Sequence, residues 1–162
     1  MDTVVILGGD GNVWEALGEV FESRFPRVRA TMASMGEKML SELAAVRPAL
    51  VVIDIELPNE SGLEITRAIR QAHPEVPIIS VGRFEAPEYE ECARMHGADY
   101  YLSKESPAEA YVALLDSVLS KRHLGGSGRE GKTGPGKGDG PRSRRPSQGG
   151  PEQGGGRVGG DE

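Results

Sequence analysis

The sequence is short of cysteine, of long apolar runs and, over most of its length, of positive charge. Cys92 is the only cysteine among 162 residues. An intramolecular disulfide is therefore impossible and an oxidising compartment is not implied. No apolar stretch approaches the roughly 20 residues that cross a bilayer. The opening Met1-Asp2-Thr3-Val4-Val5-Ile6-Leu7-Gly8 also lacks a basic region ahead of its short apolar run. A cytoplasmic protein without membrane association is expected. Residues 1–120 carry 10 Lys and Arg against 20 Asp and Glu, a balance of −10. Nucleic-acid binding rests on positive surface that neutralises phosphate, so a direct nucleic-acid partner is not expected. His73, His96 and His123 are scattered without metal-ligand spacing.

What is present alternates. Val4 to Leu7 reads as a strand, the loop Gly8-Gly9-Asp10-Gly11-Asn12 follows, and Val13, Leu17, Val20 and Phe21 recur at helical spacing up to about Arg24. Val28 to Met32 suits a second strand and Met35 to Val46 a second helix, stopped at Arg47-Pro48. Leu50 to Asp54 is apolar until its last residue, then meets the turn cluster around Pro58 and Gly62. That is a buried strand with a carboxylate at its carboxyl end, where open α/β sheets place their chemistry. A helix from Leu63 to about His73, a strand over Val76 to Val81 and a helix from Pro87 to about His96 come next. Asp99 to Ser103 forms the fifth strand and the segment opened by Ser106-Pro107 the last helix. Five strands alternating with five helices predict a parallel sheet covered on both faces.

After about residue 121 the periodicity stops. Residues 122–162 are rich in Gly and Pro and carry a balance of about +4 over residues 121–162. They are expected to form a disordered tail, because they cannot bury enough apolar surface to offset their ordering entropy. The Arg142-Ser143-Arg144-Arg145 cluster within them reads as a solvated charge run. Residues 1–121 are expected to be the folded domain.

Two stretches resemble the receiver domain of two-component response regulators. One is Pro48-x-Leu50-Val51-Val52-Ile53-Asp54-Ile55-x-Leu57-Pro58-x-x-x-Gly62-Leu63-Glu64, and the other Gly97-Ala98-Asp99-Tyr100-Tyr101-Leu102-Ser103-Lys104. The likeness covers about residues 3 to 120. It implies a flavodoxin-like sheet of five parallel strands in the order 2-1-3-4-5. It also implies a regulator rather than an enzyme, one that accepts a phosphoryl group from a histidine kinase or phosphotransfer protein and signals to a downstream protein. By resemblance Asp54 is the phosphoacceptor, Lys104 contacts the phosphoryl group and Tyr101 is the aromatic that rotates on activation. Dimerisation through the last helix and fifth strand is implied in the same way. The lysine head group is expected to face solvent.

Two features of the family are missing. The acidic pair that holds Mg²⁺ with the phosphorylated aspartate falls on Gly8 and Gly9, with Asp10 one residue later. The metal ligands left are Asp10, Asp54 and Glu56, the last through its backbone carbonyl or its side chain, and Mg²⁺ binding is expected to be weakened or lost. Glu56 adds a charge that could hold metal or repel phosphate. The hydroxyl that usually ends the fourth strand falls on Gly82, with Ser80 two residues back on the same face. A phosphoacceptor, a phosphate-independent pseudo-receiver acting as a protein-binding module, and a nucleotide or flavin binder using the glycine loop remain open.

Overall fold

The computed structural model of the chain describes residues 1–8, 11–33 and 38–125, with side chains up to 122. The tail expected to be disordered, its arginine cluster and Asp10 lie outside the described residues, as does the start of the predicted second helix.

The elements run β1 (Asp2–Leu7), α1 (Asn12–Arg24), β2 (Val28–Met32), α2 (Met39–Val46), β3 (Leu50–Asp54), α3 (Gly62–Ala72), β4 (Ile78–Gly82), α4 (Pro87–Met95), β5 (Tyr100–Ser103) and α5 (Ala108–Gly125). All strand pairs are parallel and the order is β2-β1-β3-β4-β5, the flavodoxin-like arrangement. β3 and β4 are buried along their whole length. Central parallel strands covered on two faces have to be apolar throughout, which is why their sequences do not alternate.

Each sheet face has its own core. Val4, Ile6, Leu50, Val52, Ile79 and Val81 point to the face covered by α1 and α5, where they meet Leu17, Phe21, Leu115 and Val118. Val5, Leu7, Val51, Ile53 and Ile78 point the other way, against Met39, Leu43, Ile69 and Ala93. Burying Phe21 alone, 1% exposed, contributes about 1.5–3 kcal/mol.

Boundaries differ from the sequence pattern where polar groups are used in tertiary contacts. β5 starts at Tyr100 rather than Asp99, because the Asp99 carboxylate accepts from the Ile78 N–H (2.9 Å) and from Arg70 Nη2 (2.6 Å). The same guanidinium donates to the carbonyls of Pro74, Val76 and Gly97, tying the end of α3 to the starts of β4 and β5. α4 ends at Met95, and Gly97 just beyond it has a φ of 108° that suits a residue without Cβ. α5 continues to Gly125, four residues past the expected limit. The amino ends of the strands are thus braced on one side of the sheet, and the carboxyl ends are left for the site.

Candidate functional site

β3 delivers Asp54 to the carboxyl edge, but not to solvent. Its side chain is 2% exposed. Oδ1 accepts the backbone N–H of Glu56 at 2.8 Å, and Oδ2 lies 2.8 Å from Lys104 Nζ. The lysine head group, expected to face solvent, is instead drawn onto the Asp54 carboxylate. The lysine side chain, 28% exposed, lies over the acid. The Lys104 N–H donates to Gly82 O at 2.7 Å, and the Ser103 hydroxyl donates to Arg83 O at 3.2 Å while accepting the Glu105 N–H at 3.0 Å. These bonds lock the ends of β4 and β5 together.

Glu56 extends the pair into a chain of charges. Its Oε2 is 3.9 Å from Lys104 Nζ and 3.4 Å from Arg83 Nε. Asp54, Lys104, Glu56 and Arg83 therefore alternate in sign around one edge of the sheet, so that the buried Asp54 side chain has a cation against it. Arg83 was not singled out in the sequence. The available signal was its place directly after an apolar run, at a strand's carboxyl end.

At two of the three depleted positions, Gly8 and Gly82, rings fill the side-chain space, and Gly9 lies outside the described residues. A Cβ on Gly8 would lie 2.5 Å from Trp14 Cδ2 and 2.7 Å from Cε2, so the indole of α1's first turn occupies the space a side chain at position 8 would need. A Cβ on Gly82 would run into the Tyr101 hydroxyl and come within 2.9 Å of ring carbons Cε2 and Cζ. Tyr101 donates from there to Phe84 O at 2.6 Å. Burial raises the Tyr101 pKa, with Glu56, Tyr89 and Glu90 adding to the shift, so the hydroxyl keeps its proton for this bond. Ser80, in register with Tyr101, is fully buried and its Oγ has no hydrogen-bond partner among the described residues.

The Mg²⁺ implied by the resemblance is not matched by the described residues. Mg²⁺ needs oxygen ligands at near-ideal octahedral positions. Asp54 has both oxygens engaged, Glu56 is drawn to two cations, and the place of the first acidic residue is taken by carbon. Among the described residues no group of three His, Cys, Asp or Glu could hold a metal ion.

A groove of about 200 Å³ lies beside Lys104, between the first turns of α1 and the β5–α5 connection, with Asn12, Val13, Ala16, Ser106 and Tyr111 among its walls. Tyr111 anchors this connection by donating to Ser103 O at 2.8 Å. Its pKa is pushed up to about 12 by burial, then by Tyr101 and Asp54. In the unfolded chain a tyrosine ionises near 10, so from pH 10 toward 12 the unfolded state binds fewer protons and stability falls; below pH 10 the contribution is fully present. Tyr111→Phe is expected to cost about 1 kcal/mol at neutral pH and to flatten that alkaline decline. Urea titrations at neutral pH and across the alkaline window measure both, and an unchanged alkaline slope would show that Tyr111 does not carry it.

Comparison with known proteins agrees with this fold. The family model described as the response regulator receiver domain matches residues 4–116. The sensory transduction protein BceR of Halalkalibacterium halodurans is 34% identical over 87 residues, covering 54% of this chain and 37% of that protein. The polar-differentiation response regulator DivK of Brucella anthropi is 33% identical over 75 residues, covering 45% of this chain and 61% of that protein. The chain thus spans less than two thirds of either relative. The BeF3-activated DrrB receiver domain superposes with a TM-score of 0.63 at 27% identity, covering 74% of this chain and 98% of that one. Response regulator DrrB of Thermotoga maritima gives 0.64 at 26% identity, covering 75% and 54%.

Proposed function

This chain belongs to the response regulator receiver family, and we propose from that premise that it is a phosphoacceptor module using Asp54. The observation that carries the reading is the contact of Lys104 Nζ with Asp54 Oδ2 at 2.8 Å on the carboxyl edge of the central strand. A carboxylate oxygen attacks the phosphorus of a phosphohistidine donor. The phosphorus–nitrogen bond breaks, and the donor's imidazole nitrogen keeps the electron pair. Lys104 follows the charge, moving its ammonium from the carboxylate to the new phosphoryl oxygens. The donor is a histidine kinase or phosphotransfer protein, and the groove beside Lys104 gives it a way to approach. The result is passed to a downstream protein, with a homodimer through α5 and β5 and a cytoplasmic location belonging to the same reading. Of the metal ligands expected from the sequence, Asp54 and Glu56 lie at this edge with their oxygens turned to Lys104 and Arg83, and Asp10 lies outside the described residues.

The pseudo-receiver reading has one observation in its favour: Trp14 and Tyr101 occupy the space above Gly8 and Gly82. Incubation with acetyl phosphate and Mg²⁺, read by intact mass, decides between them. A gain of one phosphoryl group that disappears in Asp54→Asn is the expected result. Absence of an Asp54-dependent gain under saturating donor would leave the protein-binding module as the surviving reading.

A further inference from the structure

We propose that Arg83 is the second cation of an oxyanion site at Asp54, and that with Lys104 it holds a phosphoryl group there without a divalent cation. The inference rests on the phosphoacceptor reading and adds to it the residue that does the metal's electrostatic work. It starts from the backbone. The bonds from Lys104 N–H to Gly82 O and from the Ser103 hydroxyl to Arg83 O place Arg83 and Lys104 side by side on neighbouring strand ends. Their side chains then converge on one acceptor, Glu56 Oε2, at 3.4 and 3.9 Å. The Glu56 carboxylate is a resident anion between two cations, beside the Asp54 carboxylate that a phosphoryl group would extend.

Charge decides why the second cation is needed. Phosphorylation replaces one negative charge on Asp54 by about two. With Lys104 alone, phospho-Asp54 and Glu56 would leave a net charge of about −2 at this edge, and Arg83 halves it. The family's usual remedy is not available from the described residues, because the indole of Trp14 lies where a carboxylate at position 8 would start. The hydroxyl at position 82 is excluded by Tyr101 in the same way. Arg83 is suited to both missing tasks. Its planar fork donates two parallel hydrogen bonds to a phosphate, while an ammonium supplies a point charge. Its side chain is 65% exposed and holds Glu56 through Nε, leaving the terminal nitrogens free to swing onto an incoming oxyanion. The guanidinium carbon also lies 5.9 Å from the Phe84 ring centroid.

The test has two arms, both run in EDTA and in Mg²⁺. In the first, Asp54→Asn protein, which cannot be phosphorylated at position 54, is titrated with inorganic phosphate and followed by NMR shifts of the β3–α3 and β5–α5 loops. Saturable binding that persists in EDTA and weakens roughly tenfold when Arg83→Gln is added is expected, the size of one charge-assisted contact pair. In the second arm, the acetyl phosphate reaction of the otherwise unaltered protein is timed by intact mass. Its rate in EDTA should match that in Mg²⁺ within about threefold, fall roughly tenfold in Arg83→Gln and recover in part in Arg83→Lys. An adduct that forms only with Mg²⁺, or is indifferent to Arg83→Gln, overturns the inference and leaves the phosphoacceptor reading standing. No Asp54-dependent adduct in either buffer overturns the reading itself. Loss of phosphate binding on Arg83→Gln would then still assign Arg83 to an oxyanion site, and unchanged binding would end that claim too.

Discussion

Gly62→Ala is expected to destabilise the fold by about 3 kcal/mol, the upper end of what overpacking a tight site costs. Gly62 opens α3 and lies against the strand end it follows. A Cβ there would meet the Asp54 carbonyl oxygen and Ile55 Cα, and would come within 2.8 Å of Ile55 C. All three are backbone atoms. A flexible side chain can swing away from an added methyl, but the end of β3 cannot, since the Ile55 N–H donates to Val81 O at 3.0 Å and Asp54 is in register with Val81. The strain therefore falls on the segment that aims the Asp54 carboxylate. Gly18→Ala is the internal control. Gly18 lies inside α1 with nothing within 4 Å of the added methyl, so the same change should stabilise by about 0.5–1 kcal/mol through helix propensity. Urea midpoints of the two variants against the parent measure the contrast. Equal effects at both positions would mean that the close approach of Gly62 to β3 is not what the fold depends on.

The layout was legible because it depends on local patterns. Apolar runs such as Leu50 to Ile53 and helical spacings such as Val13, Leu17 and Phe21 report which residues are buried, and turn residues mark where elements end. Strand order came with the resemblance, and so did the meeting of Asp54 with Lys104, fifty positions apart. What periodicity cannot report is the partner across a face. Nothing in the spacing of Trp14 tells that its ring lies on Gly8, or in that of Tyr101 that its hydroxyl fills the space above Gly82. The same applies to Asp54, whose place at a strand end does not tell that Lys104 covers it. Each glycine looked like a deletion in the sequence. In the fold each is one half of a pair whose other half is aromatic, so the site has been rebuilt with different volumes rather than emptied.

That pairing sets the outcome of the most direct attempt at repair. Gly8→Asp, which restores a carboxylate to the first acidic position, is expected to cost about 2 kcal/mol and to bring no gain in Mg²⁺ affinity. The new Cβ would sit 2.5–2.8 Å from three indole carbons. Trp14 cannot simply leave, because it is 7% exposed within the α1 and α5 core, where removing such a ring costs about 3–5 kcal/mol. The added carboxylate is therefore turned off the ligand direction while the ring holds. Gly8→Asp combined with Trp14→Leu removes the obstruction, and this double variant is expected to bind Mg²⁺ more tightly than the parent by at least about tenfold, since an added carboxylate is the kind of hard oxygen ligand the ion prefers. Calorimetric Mg²⁺ titration measures all three proteins. Trp14 is the only tryptophan, so its fluorescence reports independently whether the ring has moved in the single variant. A single variant that binds Mg²⁺ tightly with an unchanged emission spectrum would mean that the indole never excluded the metal, and the rebuilt site would then have to be explained by the charges of Lys104 and Arg83 alone.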